Sequence, residues 1–121
     1  MTKRAAVHVG VDDETAVMER FVDTWKRAER GEEIEPTIRL TYADLETMVR
    51  VLTPKRLELL RGLRQGGAMS VRALSKRLER NYKNVHTDVA DLEAEGLISR
   101  TEEGLVEVLW DEIDARYRLV A

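Results

Sequence analysis

The sequence predicts an α+β fold that is mainly helical, and three observations support this prediction. Apolar residues recur at intervals of three and four through much of the chain, which is the spacing of amphipathic helices. Short segments at residues 5–11, 98–109 and 113–119 either contain several β-branched residues or alternate apolar and charged residues, which indicates strands near both ends. Capping residues and glycines separate the segments between them. The 121 residues, 43% of them hydrophobic and 36% charged, suffice for one modest core.

Residues 1–40 predict a strand and a helix that extend the main domain. The strand is expected at residues 5–11, and the acids at 12–14 suit the N-terminus of the following helix. One apolar stripe follows on that helix, which Gly31 ends. This stripe, formed by Met18, Phe21, Val22 and Trp25, is expected to be core or a dimer contact rather than a ligand pocket, and the helix is the best candidate for the contact between two copies of the chain. A very short strand is expected at residues 38–40.

Residues 41–97 predict four helices, each with a recognisable start. Thr41 and Asp44 resemble a capping pair, and Thr53 precedes a proline suited to the first helical turn. Ser70 and Asn81 are the N-caps expected for the next two helices, which form a helix-turn-helix pair. The core-facing residues of that pair are Leu74, Leu78, Val85, Val89 and Leu92.

The C-terminal residues predict a β-hairpin and one further strand. Segments 98–101 and 105–109 flank a short turn that contains Gly104. Apolar and charged residues alternate at 113–119, which is typical of a half-buried strand. The alternation at both ends suggests that the terminal strands pair with each other, within one chain or between chains. Helix, helix-turn-helix and hairpin, in this order, make the winged helix-turn-helix plan, which we assign to residues 41–121.

Basic residues are concentrated in the helical segment although the whole chain carries a net charge of −3. Residues 54–88 hold nine basic and three acidic residues, so this segment is strongly positive. A local basic patch, rather than the total charge, determines contact with phosphates. The distribution therefore favours double-stranded DNA as the partner.

The strings LTPKRLELLRGL and VRALSKRLERNYKNVHTDVADLEAEGLI carry a family resemblance. The segment from Leu57 to Leu109 resembles MarR-like and ArsR-like transcriptional regulators. It is more similar still to a group of small winged helix-turn-helix proteins described as DNA-binding, some of them as antitoxins. The resemblance implies a transcriptional regulator that binds DNA sequence-specifically, with the helix after Asn81 in the major groove.

Eleven residues are the candidate DNA contacts. Asn84 can bond an adenine edge, and Lys83 a guanine edge or a phosphate. Arginine and lysine on the preceding helix are suited to phosphates. The full set is Arg72, Lys76, Arg77, Arg80, Asn81, Tyr82, Lys83, Asn84, His86, Thr87 and Arg100.

Three features depart from the pattern of similar sequences. Glu79 stands in the turn where glycine is common, and Thr87 stands where arginine is frequent. The hairpin tip, Glu102-Glu103, is acidic, although wings that enter the minor groove generally use basic residues. We therefore expect the wing to add little DNA affinity, or to face a protein.

Other functions have less support. An antitoxin that binds a cognate toxin and autoregulates its operon is one alternative, and a winged helix used only for protein assembly is another. The chain has no cysteine, two histidines and no phosphate loop or nucleophile motif, so we expect no enzyme activity, metal or cofactor. No signal peptide or membrane span is visible, which predicts a cytoplasmic protein. Paired operator half-sites would require a homodimer.

Overall fold

The computed structural model describes residues 6–11, 14–32, 38–42, 44–117 and 119–120. The strand predicted to begin at residue 5 and the acids at 12 and 13 thus lie partly or wholly outside the described residues. The chain is α+β and mainly helical, as predicted. In order, its elements are β1 (Ala6–Val11), α1 (Glu14–Glu29), β2 (Ile38–Tyr42), α2 (Leu45–Val51), α3 (Pro54–Gly66), α4 (Val71–Leu78), α5 (Tyr82–Ala94), β3 (Ser99–Arg100), β4 (Val106–Glu107) and β5 (Glu112–Arg116).

The described residues form two compact units. The first comprises the residues up to Met48 together with those from Glu112 onward, and the second is Val49–Asp111. These limits differ from the division at residue 40 that the sequence suggested. The reason is that β5 pairs with β1, so the C-terminal strand belongs with the N-terminal elements.

The first unit is built on a three-stranded parallel sheet with the strand order β2-β1-β5. The central strand β1 buries Val7 and Val9 completely or nearly so, which explains the alternation of its sequence. Across the β1–β5 pair, His8 Nδ1 lies 3.3 Å from Asp114 Oδ2. The predicted pairing of the two terminal strands is therefore confirmed, within one chain and in parallel sense.

Helix α1 belongs to the first unit but buries none of its described side chains. Its apolar residues point to solvent: Phe21 is 65% exposed and Trp25 is 60% exposed. The apolar stripe that the sequence predicted thus exists but is not covered within the chain. In the described part of the chain, no helix is long and apolar enough to cross a membrane.

The second unit is held together by three capped helices and a short hairpin. Thr53, Ser70 and Asn81 are the N-caps of α3, α4 and α5, and each accepts a hydrogen bond from a backbone N–H three residues later. The core includes Leu59, Leu63, Leu74, Val85, Val89, Leu92, Leu97 and Val106. Leu57 is exposed, because the buried face of α3 passes through Leu59, Leu60 and Leu63.

The predicted hairpin follows α5. Strands β3 and β4 are antiparallel and pair Ser99 with Glu107 and Arg100 with Val106. Met69, which lies between α3 and α4, exchanges two backbone hydrogen bonds with Val106. The hairpin is therefore anchored to the helical core through the buried side chain of Val106 and through this bridge.

Candidate functional site

A three-residue turn joins α4 to α5, and its first residue adopts a left-handed conformation. Glu79 has φ 54° and ψ 43°, and it is the one non-glycine residue with positive φ among the described residues. Its backbone N–H donates to Lys76 O, and Arg80 N–H donates to Ser75 O. These bonds satisfy two of the last four carbonyls of α4. The sequence singled out this position because glycine is better suited to it, and the conformation found confirms the requirement.

The first turns of α5 separate an apolar inner face from a polar outer one. Val85, Val89 and Leu92 are buried, as predicted from their spacing. Five other residues of these turns are exposed, namely Tyr82, Lys83, Asn84, His86 and Thr87. The side-chain oxygen of Asn81 accepts the N–H of Asn84 at 3.3 Å, so Asn81 is occupied in part as the cap of the helix.

An aromatic and guanidinium stack connects α4 to the start of α5. The guanidinium carbon of Arg72 lies 4.6 Å from the centroid of the Tyr82 ring. The rings of Tyr82 and His86 have centroids 5.9 Å apart at an angle of 47°. A cation over a tyrosine face is attracted by the ring quadrupole, and the stacking also restricts the rotamers of the arginine. Arg72 is therefore held at the surface next to the exposed face of α5.

Two arginines of the basic segment serve the structure of the second unit. Asp88 on α5 accepts from Arg56 Nε at 3.1 Å and from Arg80 Nη2 at 2.7 Å, and Asp91 accepts from Arg56 Nη2. Arg56 also donates to Val51 O. Burial lowers the pKa of Arg56, but its hydrogen bonds and charge interactions with Asp88 and Asp91 outweigh burial and raise that pKa above its ordinary value. The guanidinium thus stays charged and ties α3 to α5.

Arg80 is less available for a ligand than the sequence implied. Its side chain is only 17% exposed, and Asp88 neutralises it. One of its nitrogens, Nη1, is buried without a hydrogen-bond partner. Sequence reasoning missed this network, because it treated Arg56 and Arg80, like the other basic residues of the segment, as part of a patch available to phosphates. The signal was Asp88 itself, the one acidic residue in the first two turns of α5.

The other cations of the predicted interface have different surroundings. Lys76 and Lys83 are exposed and make no ion pair with any residue that the structure describes. Arg77 donates from Nε to Gly62 O at 3.1 Å, which holds its exposed guanidinium at the end of α3. Arg64 pairs with Asp111. An open groove beside the first turn of α5 is lined by polar and basic side chains that include Arg50, Lys55, Asn81, Asn84 and Thr87.

Arg100, the candidate contact on the hairpin, is neutralised within the second unit. Its Nε donates to both carboxylate oxygens of Glu93 at 3.2 Å, and its Nη1 donates to Gly104 O at 3.1 Å. Glu102 and Glu103 are exposed in the turn between β3 and β4. The tip of the hairpin therefore presents negative charge and no unpaired arginine.

The remaining predicted residues lie in the first unit. Met18, Phe21, Val22 and Trp25, the expected dimer contacts, are all exposed on one side of α1. No group of three or more histidine, cysteine, aspartate or glutamate side chains among the described residues is arranged to hold a metal ion.

Comparison with known proteins identifies a family. The family model HVO_A0114 matches residues 51–115, which is more than half of the chain, and the chain belongs to that family. The matched region contains α3, α4, α5, the hairpin and most of β5. No curated protein and no solved structure matches the chain.

Proposed function

We propose that this member of the HVO_A0114 family is a transcriptional regulator that binds double-stranded DNA sequence-specifically through α5. The observation that carries the proposal is the two-sided character of this helix. Val85, Val89 and Leu92 are buried in the core of the second unit, whereas the first two turns present five exposed side chains that can hydrogen-bond or stack. Such a set fits base edges in the major groove.

The order of elements supports a winged helix-turn-helix. Helices α3, α4 and α5 are followed by a β-hairpin, and the turn between α4 and α5 contains three residues, as in helix-turn-helix pairs. In this arrangement α5 is the recognition helix, and β3 and β4 form the wing. The resemblance of residues 57–109 to MarR-like and ArsR-like regulators agrees with this assignment.

Lys83 and Asn84 are the proposed sequence-reading residues. Both lie in the first turn of α5 and are exposed. The amide of Asn84 can make two hydrogen bonds to adenine, and the ammonium of Lys83 can donate to guanine O6 or N7. Thr87 donates its hydroxyl to Lys83 O at 3.1 Å, so its methyl group is the part that remains for a thymine methyl.

The phosphate contacts that we propose are a subset of the basic residues. Lys76 is exposed and unpaired within the described chain, Arg77 is exposed, and Arg72 is stacked on Tyr82. Arg80 and Arg100 are the two members of the predicted set whose charges are already matched by Asp88 and Glu93. We therefore assign positioning contacts to Arg72, Lys76 and Arg77, which fix orientation without reading sequence.

Fluorescence anisotropy tests the proposal. The labelled duplexes are the region upstream of the protein's own gene and a scrambled version of it, at low and moderate salt. The proteins are the wild type, Asn84→Ala, Lys83→Ala and, as the matched control, Arg64→Ala, because Arg64 is already paired with Asp111. Specific binding that weakens with salt and in both α5 variants, but not in the control, would support major-groove recognition. Equal weak binding of both duplexes by all four proteins would refute it.

The acidic hairpin favours a second candidate, a winged helix that acts in protein assembly. Glu102 and Glu103 are exposed, and Arg100 is neutralised by Glu93, so the wing suits a basic protein better than a phosphate backbone. An antitoxin whose wing holds a basic toxin is one form of this function. Co-expression with the product of the adjacent gene tests it, since a stable complex that Glu102→Lys disrupts would identify the wing as the contact.

A further inference from the structure

Four apolar side chains of α1 form a face that is exposed to solvent. Met18, Phe21, Val22 and Trp25 are spaced at intervals of three and four, so they share one side of the helix. Trp25 donates its Nε1–H to Glu29 Oε1 at 2.8 Å, which satisfies the polar atom of the indole and leaves its ring apolar. Large exposed apolar faces on soluble proteins mark contact surfaces.

Two opposite charges border this face on the same side. Glu19 and Lys26 are seven residues apart, which is close to two helical turns, so both lie along one flank of the stripe. They line an open groove together with Met18, Val22 and a second acidic residue, Asp23. Neither makes a hydrogen bond or ion pair with any residue that the structure describes. Glu19 and Lys26 are therefore arranged like the flanking charges that select partners in coiled coils.

We infer that α1 packs antiparallel against α1 of a second copy, about a two-fold axis near Val22. In an antiparallel pair each flank meets the same flank of the other helix, in reverse direction. If the two-fold axis passes midway between Glu19 and Lys26, Glu19 of each copy lies beside Lys26 of the other. An axis at Val22 lies about half a residue from the midpoint between Glu19 and Lys26. It also lies about half a residue from the midpoint of the apolar stripe. Each offset along the helix is less than the ~1.5 Å rise of one residue. A single two-fold axis therefore brings the two apolar faces together and forms both ion pairs.

Other occupants fit this face less well. A parallel pair would place Glu19 and Lys26 against the opposite flank, where Val17 and Thr24 lie, and neither of these residues is charged. A nucleic acid or an anionic membrane would be repelled by Glu19 and Asp23, which border the groove. The self-complementary charge pattern thus favours a second copy of this chain. The inference does not depend on DNA binding.

Sedimentation equilibrium of the full chain over a range of concentrations tests the inference. The wild type is expected to approach twice its monomer mass of 13.9 kDa at micromolar concentration. Glu19→Lys and Lys26→Glu each replace two attractions with two repulsions, and each should weaken the dimer by about tenfold or more at low salt. The double variant Glu19→Lys/Lys26→Glu restores opposite charges and should recover most of the wild-type affinity.

Two further variants complete the test. Phe21→Ser removes the centre of the apolar face and should give monomers, while circular dichroism should remain unchanged because Phe21 is exposed. Arg27→Glu is the matched control, since Arg27 lies on the opposite side of α1 and its exposed pair with Glu32 contributes little. A wild type that stays monomeric at all concentrations would overturn the inference. A double variant no tighter than the single ones would overturn the antiparallel pairing.

Discussion

Helices α1 and α5 are similar in length and amphipathic, but they use their apolar faces in opposite ways. In α5 the residues Val85, Val89 and Leu92 are buried in the core of its own unit. In α1 the corresponding stripe is exposed, and none of the described side chains is buried. The outer face of α5 is left with polar groups, whereas α1 offers a partner mainly apolar surface.

This difference indicates the kind of partner that each helix can bind. A polar face with hydrogen-bonding side chains suits a hydrated, charged ligand such as DNA, because little apolar area is available to bury. An uncovered apolar face suits protein, because burial of apolar area is the main driving force of association between proteins. One chain thus carries two surfaces with separate chemistry, which can be disrupted independently.

The largest expected effect compares matched truncations on the two helices. Leu92→Ala should lower the free energy of unfolding by about 3 kcal/mol, because it leaves a cavity at a fully buried site. Phe21→Ala should change it by less than about 0.5 kcal/mol in dilute protein, because surface truncations are nearly neutral. Urea unfolding followed by circular dichroism measures both values. A similar loss in the two variants would mean that α1 is covered within the chain.

The next effect separates structural from surface charges on α5. Asp88→Ala should cost about 2–3 kcal/mol of stability, since it leaves Arg80 without its counter-charge and Arg56 with one partner fewer. Asp91→Ala should cost less than about 1 kcal/mol, because Asp91 is more than half exposed. Thermal unfolding at constant pH distinguishes them. Equal, small losses would show that the network does not hold α3 to α5.

A smaller effect concerns the salt dependence of DNA binding. Lys76→Ala should reduce the slope of log affinity against log salt by about 1, which corresponds to one lost phosphate contact. Arg27→Ala, which removes an exposed cation on α1, should leave the slope unchanged. Titrations at several salt concentrations give the slopes. If Arg27→Ala changed the slope as much as Lys76→Ala, the charge of Lys76 would have no special role in DNA binding.

The smallest effect is expected at the turn before α5. Glu79→Gly should raise stability by up to about 1 kcal/mol, because the left-handed conformation is strained for a residue with a Cβ. The greater freedom of glycine in the unfolded chain offsets part of this gain. The melting temperature measures the change, with Glu58→Gly in the middle of α3 as a control that should be destabilising. A loss at position 79 would show that the side chain of Glu79 stabilises the turn.

The local elements of the chain could be predicted because each depends on a few neighbouring residues. The caps Thr53, Ser70 and Asn81, the conformation required at position 79 and the hairpin turn all follow from local chemistry. For the same reason the inner and outer faces of α5 could be assigned from the spacing of its apolar residues alone.

The long-range pairings could not be predicted in the same way. The sequence marks Asp88 as the one acidic residue in the first two turns of α5, but it does not identify Arg56 and Arg80 as its partners, since these residues are brought together only when α3 and α5 pack. The parallel sense of β1 and β5 is equally hidden, because alternation marks a strand but not its neighbour or direction. For this reason the sequence predicts Arg80 and Arg100 as DNA contacts, although in the structure both are already paired with carboxylates.

The pairing of β1 with β5 has a consequence for the order of folding during synthesis. Ala6 and Glu112 are partners in the sheet, so the central strand leaves the ribosome about a hundred residues before its second neighbour. The contacts among α3, α4 and α5 span much shorter loops and can form first. Until β5 arrives, one edge of β1 presents unpaired backbone groups, and premature termination before residue 112 would leave that edge open to aggregation.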